Sequence, residues 1–312
     1  MKMKKFNKRV LKKSCIASVI ILLILIIIPW YALSLFLNQR YYQPQFNATD
    51  FGIEVEQITL MTADELNLAS WRVFTEGEPY GTVVIVSGIQ YPSVTAFFGY
   101  AQMLAENGWD SLLIEKRARS LSEGESIGLA ITEWMDVEAG VNFLNDDARV
   151  GDLPIITMGT SAGGSAVLVA GSEVPRIDGV IAISAFTTFT DVYVDNMPMV
   201  GLPRFIGHLT RPFMWLQLGF RFGFDEINRT PMGALEHFSE QPLLLMHSTD
   251  DWQVPFSHFE NLYERAREVG VDIYTFTRTG NWHFVVYDRY IQTPAEDEEF
   301  SHALFEFLAI FQ

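Results

Sequence analysis

The chain has 312 residues, 49% of them hydrophobic and 19% charged, with a single cysteine and a formal net charge of −16. That length and apolar content suffice for one large core or two smaller ones, and they exclude a disordered chain or a disulfide-stapled scaffold. The acidic balance excludes a nucleic-acid binder, because a surface of that sign repels phosphate backbones.

The charge is unevenly placed. The first thirteen residues carry Lys2, Lys4, Lys5, Lys8, Arg9, Lys12 and Lys13 and no acid, which leaves −23 for everything after them. Cys15 to Leu37 follows without a charge, longer than the roughly 20 apolar residues that cross a bilayer. A cleavable signal peptide has a shorter apolar region and small residues at its end, whereas this run ends in Leu35, Phe36 and Leu37. The sequence therefore predicts a basic cytoplasmic tail over 1–14, a retained transmembrane anchor over 15–37 and a linker over 38–53. By the positive-inside rule, everything after Arg40 lies outside the cytoplasm, with the chain a single-pass protein of the cell membrane. Trp30, Tyr31, Tyr41 and Tyr42 suit the outer interface. The lone cysteine, Cys15, sits in the span, so the exported part has no thiol for a disulfide.

From residue 54 the pattern changes to that of a folded domain reaching residue 312. Two runs rich in Val, Ile, Leu and Thr between Glu54 and Phe74 flank Ala63-Asp64-Glu65 and predict a hairpin at a sheet edge. Short apolar runs follow at Thr82–Val86, Ser111–Ile114, Pro154–Met158, Val180–Ile183, Leu243–Met246 and Ile273–Phe276. Unbroken apolar strands belong to a sheet covered on both faces. Between them Trp134, Val137, Val141 and Leu144 fall at helical spacing, as do Phe259, Leu262 and Ala266. Strand and helix in alternation imply an α/β fold: a mostly parallel central sheet of about eight strands with helices on both faces. The interval 186–240 breaks the rhythm with helix-like pieces and many aromatics, and is expected to be a helical cap over the C-terminal edge of the sheet.

Chemistry enters at Gly159-Thr160-Ser161-Ala162-Gly163, which follows an apolar strand and opens the helix-like run Ser165 to Ala170. This is the context of a G-x-S-x-G nucleophile elbow, where small neighbours let a serine occupy a strained turn with its hydroxyl exposed. The helix that begins there aims its N-terminal amides at an oxyanion.

With this motif the sequence resembles the α/β-hydrolase superfamily from about residue 54 to the C-terminus, most closely its single-span, membrane-anchored, serine-aminopeptidase-like hydrolases. Val83-Val84-Ile85-Val86-Ser87-Gly88 resembles the strand that ends in His-Gly, with Ser87 in place of the histidine. Glu115-Lys116-Arg117-Ala118-Arg119-Ser120 resembles the Asp-x-Arg-Gly-x-Gly turn without its glycines, and Glu133 to Asp136 resembles the Glu-x-x-Asp helix that follows. The resemblance implies an oxyanion hole made of the Ile89 and Ala162 backbone amides. It also implies an acid within His247-Ser248-Thr249-Asp250-Asp251-Trp252-Gln253-Val254-Pro255, where Asp251 falls at the acid position. Asp250 is its rival, since adjacent residues of an extended loop point in opposite directions and only one faces the base. Of six histidines, His283 in Gly280-Asn281-Trp282-His283-Phe284 matches the Gly-x-x-His segment and completes the chain order Ser, Asp, His. His208, His237, His247, His258 and His302 have ordinary alternatives in the cap, a strand end and helices.

Metal-ligand spacings and the lysine of a phosphate loop are missing, so neither a metal nor another cofactor is expected. The expected reaction is acyl transfer from a small-molecule ester to water. An amide or N-terminal peptide substrate on the same triad is the alternative, and a non-catalytic, membrane-tethered binding protein a further one. Phe189, Tyr193, Phe205, Phe213, Trp215, Phe220, Phe222 and Phe224 in the cap suggest an apolar acyl pocket, with Trp252 and Trp282 as walls beside it. An aminopeptidase would instead need a carboxylate for the substrate ammonium, for which Asp191, Asp195, Asp225 and Glu226 are the candidates.

Overall fold

In a computed structural model that describes residues 8–37, 45–89, 93–238 and 240–312, the uncharged run from Cys15 and the basic residues from Lys8 that precede it form one helix, α1, over Lys8–Leu37. Lys2, Lys4, Lys5, Arg40, Tyr41 and Tyr42 lie outside the described residues. Most of α1 is exposed. Pro29, Leu33 and Leu37 are buried, at helical spacing on the face turned to the rest of the chain.

The strands are β1 (Glu56–Met61), β2 (Asn67–Val73), β3 (Thr82–Val86), β4 (Asp110–Ile114), β5 (Ile155–Thr160), β6 (Gly179–Ile183), β7 (Leu243–Ser248) and β8 (Ile273–Arg278). They form one eight-stranded sheet in the order β1-β2-β4-β3-β5-β6-β7-β8. β1 and β2 make the expected edge hairpin, and β2 meets β4 antiparallel. Every pairing from β4 through β3, β5, β6 and β7 to β8 is parallel. The helices between strands are α2 (Phe98–Glu106), α3 (Trp134–Asn145) and α4 (Ala162–Glu173). α5 (Phe189–Asp195), α6 (Arg204–Phe222), α7 (Phe224–Asn228) and α8 (Pro231–Ala234) form the cap between β6 and β7, and α9 (Ser257–Val269) and α10 (Glu298–Leu308) complete the fold.

Alternation along the strands explains their unbroken apolar character. Val84, Val86, Leu112, Ile114, Val180 and Leu245 point to one side and pack with Val137, Val141, Val167 and Leu262. Val83, Ile85, Leu113, Ile156, Met158 and Met246 point to the other, against Phe97, Tyr100, Phe300 and Leu304. A third apolar cluster joins Leu33 and Leu37 of α1 to Phe189, Val192, Met197, Met214 and Leu218 of the cap.

Where the sequence resembles a glycine turn without its glycines, Ala118 and Ser120 adopt positive φ, 56° and 37°. A left-handed non-glycine residue costs about 1–2 kcal/mol. Anchorage by Arg117 offsets it: the Arg117 amide donates to Asp136 at 3.0 Å, and its guanidinium binds Asp136 and Asp64 at 2.7 Å each.

Candidate active site

Ser161 stands between β5 and α4 at φ 56° and ψ −121°, a strained conformation for a residue with a side chain. β5 runs two residues further than the apolar run suggests, so Gly159 and Thr160 are still strand and the chain reverses at the serine itself. The residues two before and two after it must be glycine because backbone passes close by. A Cβ on Gly163 would stand 2.6 Å from the Ser87 carbonyl oxygen, and one on Gly159 would overlap the Gly163 carbonyl. The Ser161 amide donates to the Ile183 carbonyl at 2.7 Å, tying the elbow to β6.

The other predicted residues converge on the same edge of the sheet. Asp251 follows β7 and His283 follows β8, both at the C-terminal ends of parallel strands, where open α/β sheets place their sites. His283 Nδ1 donates to Asp251 Oδ2 at 2.7 Å, and Asp251 Oδ1 accepts the Gln253 and Val254 amides at 2.8 and 3.1 Å. Burial alone would raise the Asp251 carboxyl, but these hydrogen bonds and the adjacent imidazole hold it below its ordinary value. With Nδ1 protonated by this contact, a neutral ring leaves Nε2 free to accept a proton. Among the described residues no hydrogen bond joins Ser161 Oγ to the ring, although both line one cavity. The rival, Asp250, is exposed on the other side of the loop, where Oδ2 accepts the Gly280 amide at 3.0 Å.

The histidine loop is itself strained. Val285, β-branched and fully buried, has φ 67°, and its amide closes a turn on the Trp282 carbonyl at 2.8 Å, with His283 held inside that turn. Ser248 Oγ donates to the same carbonyl at 2.8 Å, linking the histidine loop to the end of β7.

Ile89, just past β3, and Ala162, the first residue of α4, flank the serine. Gly88 brings them close: a Cβ there would lie 3.2 Å from the Ser161 Cβ. The Ala162 amide is at a helix N-terminus, where the peptide dipoles favour negative charge.

Ser161, His283, Gly88 and Ile89 face a cavity of about 430 Å³, whose other walls are apolar apart from Tyr193, Asn196 and Gln253. Phe186 comes from the loop after β6, Phe189, Val192 and Met197 from the cap, and Ala32 and Leu35 from α1. The expected aromatic walls Trp252 and Trp282 are not among them. Trp252 is 54% exposed, and Trp282 packs edge-on against Tyr287 at 5.1 Å between ring centroids. Proximity in sequence to the acid and base misled here, because a turn aims consecutive side chains in different directions. Phe186 and Phe284 stand in their place. Their signal was position, the first three residues past the end of β6 and the second directly after His283.

The cap carboxylates are engaged elsewhere. Asp191 pairs with Arg211 at 2.7 Å and accepts from Thr187 and Thr188. Asp195 binds His258 Nε2 at 3.1 Å, and that bond holds its carboxyl below the ordinary value. Glu226 pairs with Arg229 and accepts from Trp134 Nε1, and Asp225 is exposed outside the cavity.

A model of the prolyl oligopeptidase family matches residues 129–308, more than half of the chain and the segment that holds Ser161, Asp251 and His283. The uncharacterized protein YqkD of Bacillus subtilis is 25% identical over 198 residues, and the match spans 60% of each chain, less than two thirds of that relative's length. The uncharacterized membrane protein YNL320W of Saccharomyces cerevisiae is 25% identical over 244 residues, 77% of this chain and 78% of the other. Among solved structures, the Pyrococcus furiosus esterase Pf2001 superposes with a TM-score of 0.67 at 20% identity, covering 88% of this chain and 97% of its own, a likeness of fold.

Proposed function

This chain belongs to the prolyl oligopeptidase family and is a serine hydrolase of α/β-hydrolase fold, and on that premise we propose that it hydrolyses a carboxylic ester of an apolar acyl group, with Ser161 as nucleophile, His283 as base and Asp251 as the orienting acid. The observation that carries the reading is the chain of contacts from Asp251 through Nδ1 of His283 to a cavity shared with a serine on a strained elbow. In this reading Nε2 takes the Ser161 proton as Oγ attacks the carbonyl carbon, and the Ile89 and Ala162 amides bind the oxyanion. Collapse of the tetrahedral intermediate breaks the ester C–O bond and passes that proton to the leaving alcohol. Water, activated by the same ring, then releases the acid and frees the serine. The steps balance without a cofactor.

The preference for esters over aminoacyl substrates rests on the cavity wall: among the described residues that line it, none is a carboxylate that could receive an ammonium group. Membership of an oligopeptidase family favours the second reading, an amide or peptide substrate on the same residues. The first reading extends to location. α1 is long and apolar enough to span a bilayer, and with basic residues in and before its first turns the proposed topology is a single-pass membrane protein with the hydrolase on the extracytoplasmic side.

A fluorophosphonate tests the hydrolase assignment directly, since it phosphonylates an activated serine and spares ordinary ones. The full-length protein is expected to label at Ser161, and Ser161→Ala to abolish both labelling and ester turnover while leaving the fold intact. Retention of more than about 1% of turnover in Ser161→Ala would remove Ser161 as nucleophile.

A further inference from the structure

The longest cap helix, α6, carries two unlike faces. Gly207, Thr210, Met214 and Leu218 are buried against the cap, and Tyr193 Oη and Thr210 Oγ1 share a 2.7 Å hydrogen bond that fastens the helix to α5. On the outside, Phe205, Leu209, Pro212, Leu216 and Phe220 recur at steps of four, three, four and four residues, within about 80° of one face. Phe205 is 59%, Leu209 55% and Phe220 81% exposed. A run of large apolar side chains left in water on one helix marks an interaction surface.

Two further observations identify what covers it. In a chain with an excess of sixteen acidic charges, the charged residues of Arg204–Phe222 are all basic: Arg204, Arg211 and Arg221, with no Asp or Glu. The three lie about 120–140° round the helix from the centre of the stripe, Arg204 and Arg211 paired with Asp195 and Asp191 and Arg221 donating to Ser126. Thus α6 sets an apolar face against a basic one with no acid of its own to repel headgroup phosphates, the composition of a helix lying in a membrane interface. The second observation is the place of the helix beside α1. Gln217 Nε2 donates to the Ile26 carbonyl at 3.0 Å, from a position about 100° round α6 from the exposed stripe, so α1 flanks the stripe without covering it. Trp30 and Tyr31, both exposed, lie about 26 Å along the helix from Lys13, near the thickness of a hydrocarbon core, and suit the outer interface. Ile26 is then about 6–8 Å below that level, within the depth of roughly 5–10 Å to which interfacial helices sink.

The cavity over Ser161 opens on this side. Ala32 and Leu35 of α1 and the exposed pair Met199 and Val200, just before α6, line it. We propose that α6 is an interfacial membrane helix and that the cavity is loaded from the bilayer, so that the substrate is the ester of a membrane-resident amphiphile whose acyl chain enters between α1 and Met199-Val200. The membrane contact stands on its own observations, whereas the substrate class rests on the hydrolase reading above. Entry from lipid needs no transfer of the acyl chain through water, a step that grows more costly with every methylene of a long chain.

The test uses the full-length protein in phosphatidylcholine vesicles. Phe220→Cys, in a Cys15→Ser background, is labelled with an environment-sensitive fluorophore. Blue-shifted emission quenched by lipids brominated near the headgroup is the expected result. Emission as in water without quenching, or shielding without quenching as from a protein partner, overturns the membrane contact. In parallel, Leu209→Asp/Phe220→Asp is expected to lose about tenfold in kcat/KM on a long-chain fluorogenic ester embedded in the vesicles. Its fluorophosphonate labelling and its turnover of soluble nitrophenyl acetate should change by less than about twofold. An unchanged rate on the embedded ester, or an equal loss on both substrates, overturns loading from lipid. If the wild-type protein fails to react with the fluorophosphonate, the hydrolase reading and the substrate class fall, while the quenching result still decides the membrane contact.

Discussion

His283 Nδ1 and Asp251 Oδ2 are 2.7 Å apart, while Asp250, one residue away, turns outward and accepts the Gly280 amide. The two aspartates therefore differ in what their loss should do. Asp251→Asn keeps the shape but can present an N–H to Nδ1, which favours the wrong tautomer and is expected to lower kcat by about 10⁴-fold. Asp250→Asn should stay within about threefold of the wild type. Steady-state kinetics on one soluble ester decides between them, and comparable losses in both variants would contradict the assignment of the acid.

The second prediction concerns substrate. Across nitrophenyl esters and aminoacyl amides, each compared with its own uncatalysed rate, the larger enhancement in kcat/KM is expected for the esters, because Phe189, Val192 and Met197 offer apolar contact and no carboxylate lines the wall. Asp191→Asn should leave that ranking unchanged, its carboxylate being engaged by Arg211 and two threonines. A larger enhancement for the amides, lost on neutralising Asp191, Asp195, Asp225 or Glu226, would establish the peptidase reading instead.

Acid should weaken the fold through His247. Burial pushes its imidazole down to about 4, and the neutral ring donates from Nε2 to the Val254 carbonyl at 2.8 Å. In the unfolded chain the ring titrates near its ordinary value of about 6.5, so the unfolded state takes up its proton first as the pH falls. The stabilisation is complete above about pH 6.5 and is lost progressively down to about pH 4, to the extent of roughly 3 kcal/mol. Denaturant midpoints measured at intervals over this window should fall in the wild type. His247→Asn should start lower at neutral pH and fall less steeply. Parallel slopes would mean that other groups control the acid limb.

The proposed orientation rests on the basic residues at and before the start of α1. Protease added to intact cells is expected to digest the domain, and digestion only after lysis would reverse the topology.

The architecture was legible in the sequence because its determinants are local. Runs such as Val83 to Val86 and Ile155 to Met158 alternate their side chains into two apolar layers, which only a sheet covered on both sides accommodates. The strand-to-helix turn at Ser161 was legible for the same reason, as the packing of Gly159 and Gly163 against neighbouring backbone admits no larger residue. For the acid the resemblance pointed to Asp251 over Asp250, but which carboxylate the loop turns toward a ring 32 residues further along is decided by the tertiary structure. The wall of the cavity was not legible. Trp252 and Trp282 are adjacent in sequence to Asp251 and His283 yet face away, whereas Ala32 and Leu35 belong to a helix whose composition indicates only a membrane span. Periodicity reports which side of an element is apolar, but contacts between distant segments are set by the packing of whole helices. Only the tertiary structure brings α1, the cap and the serine around one cavity.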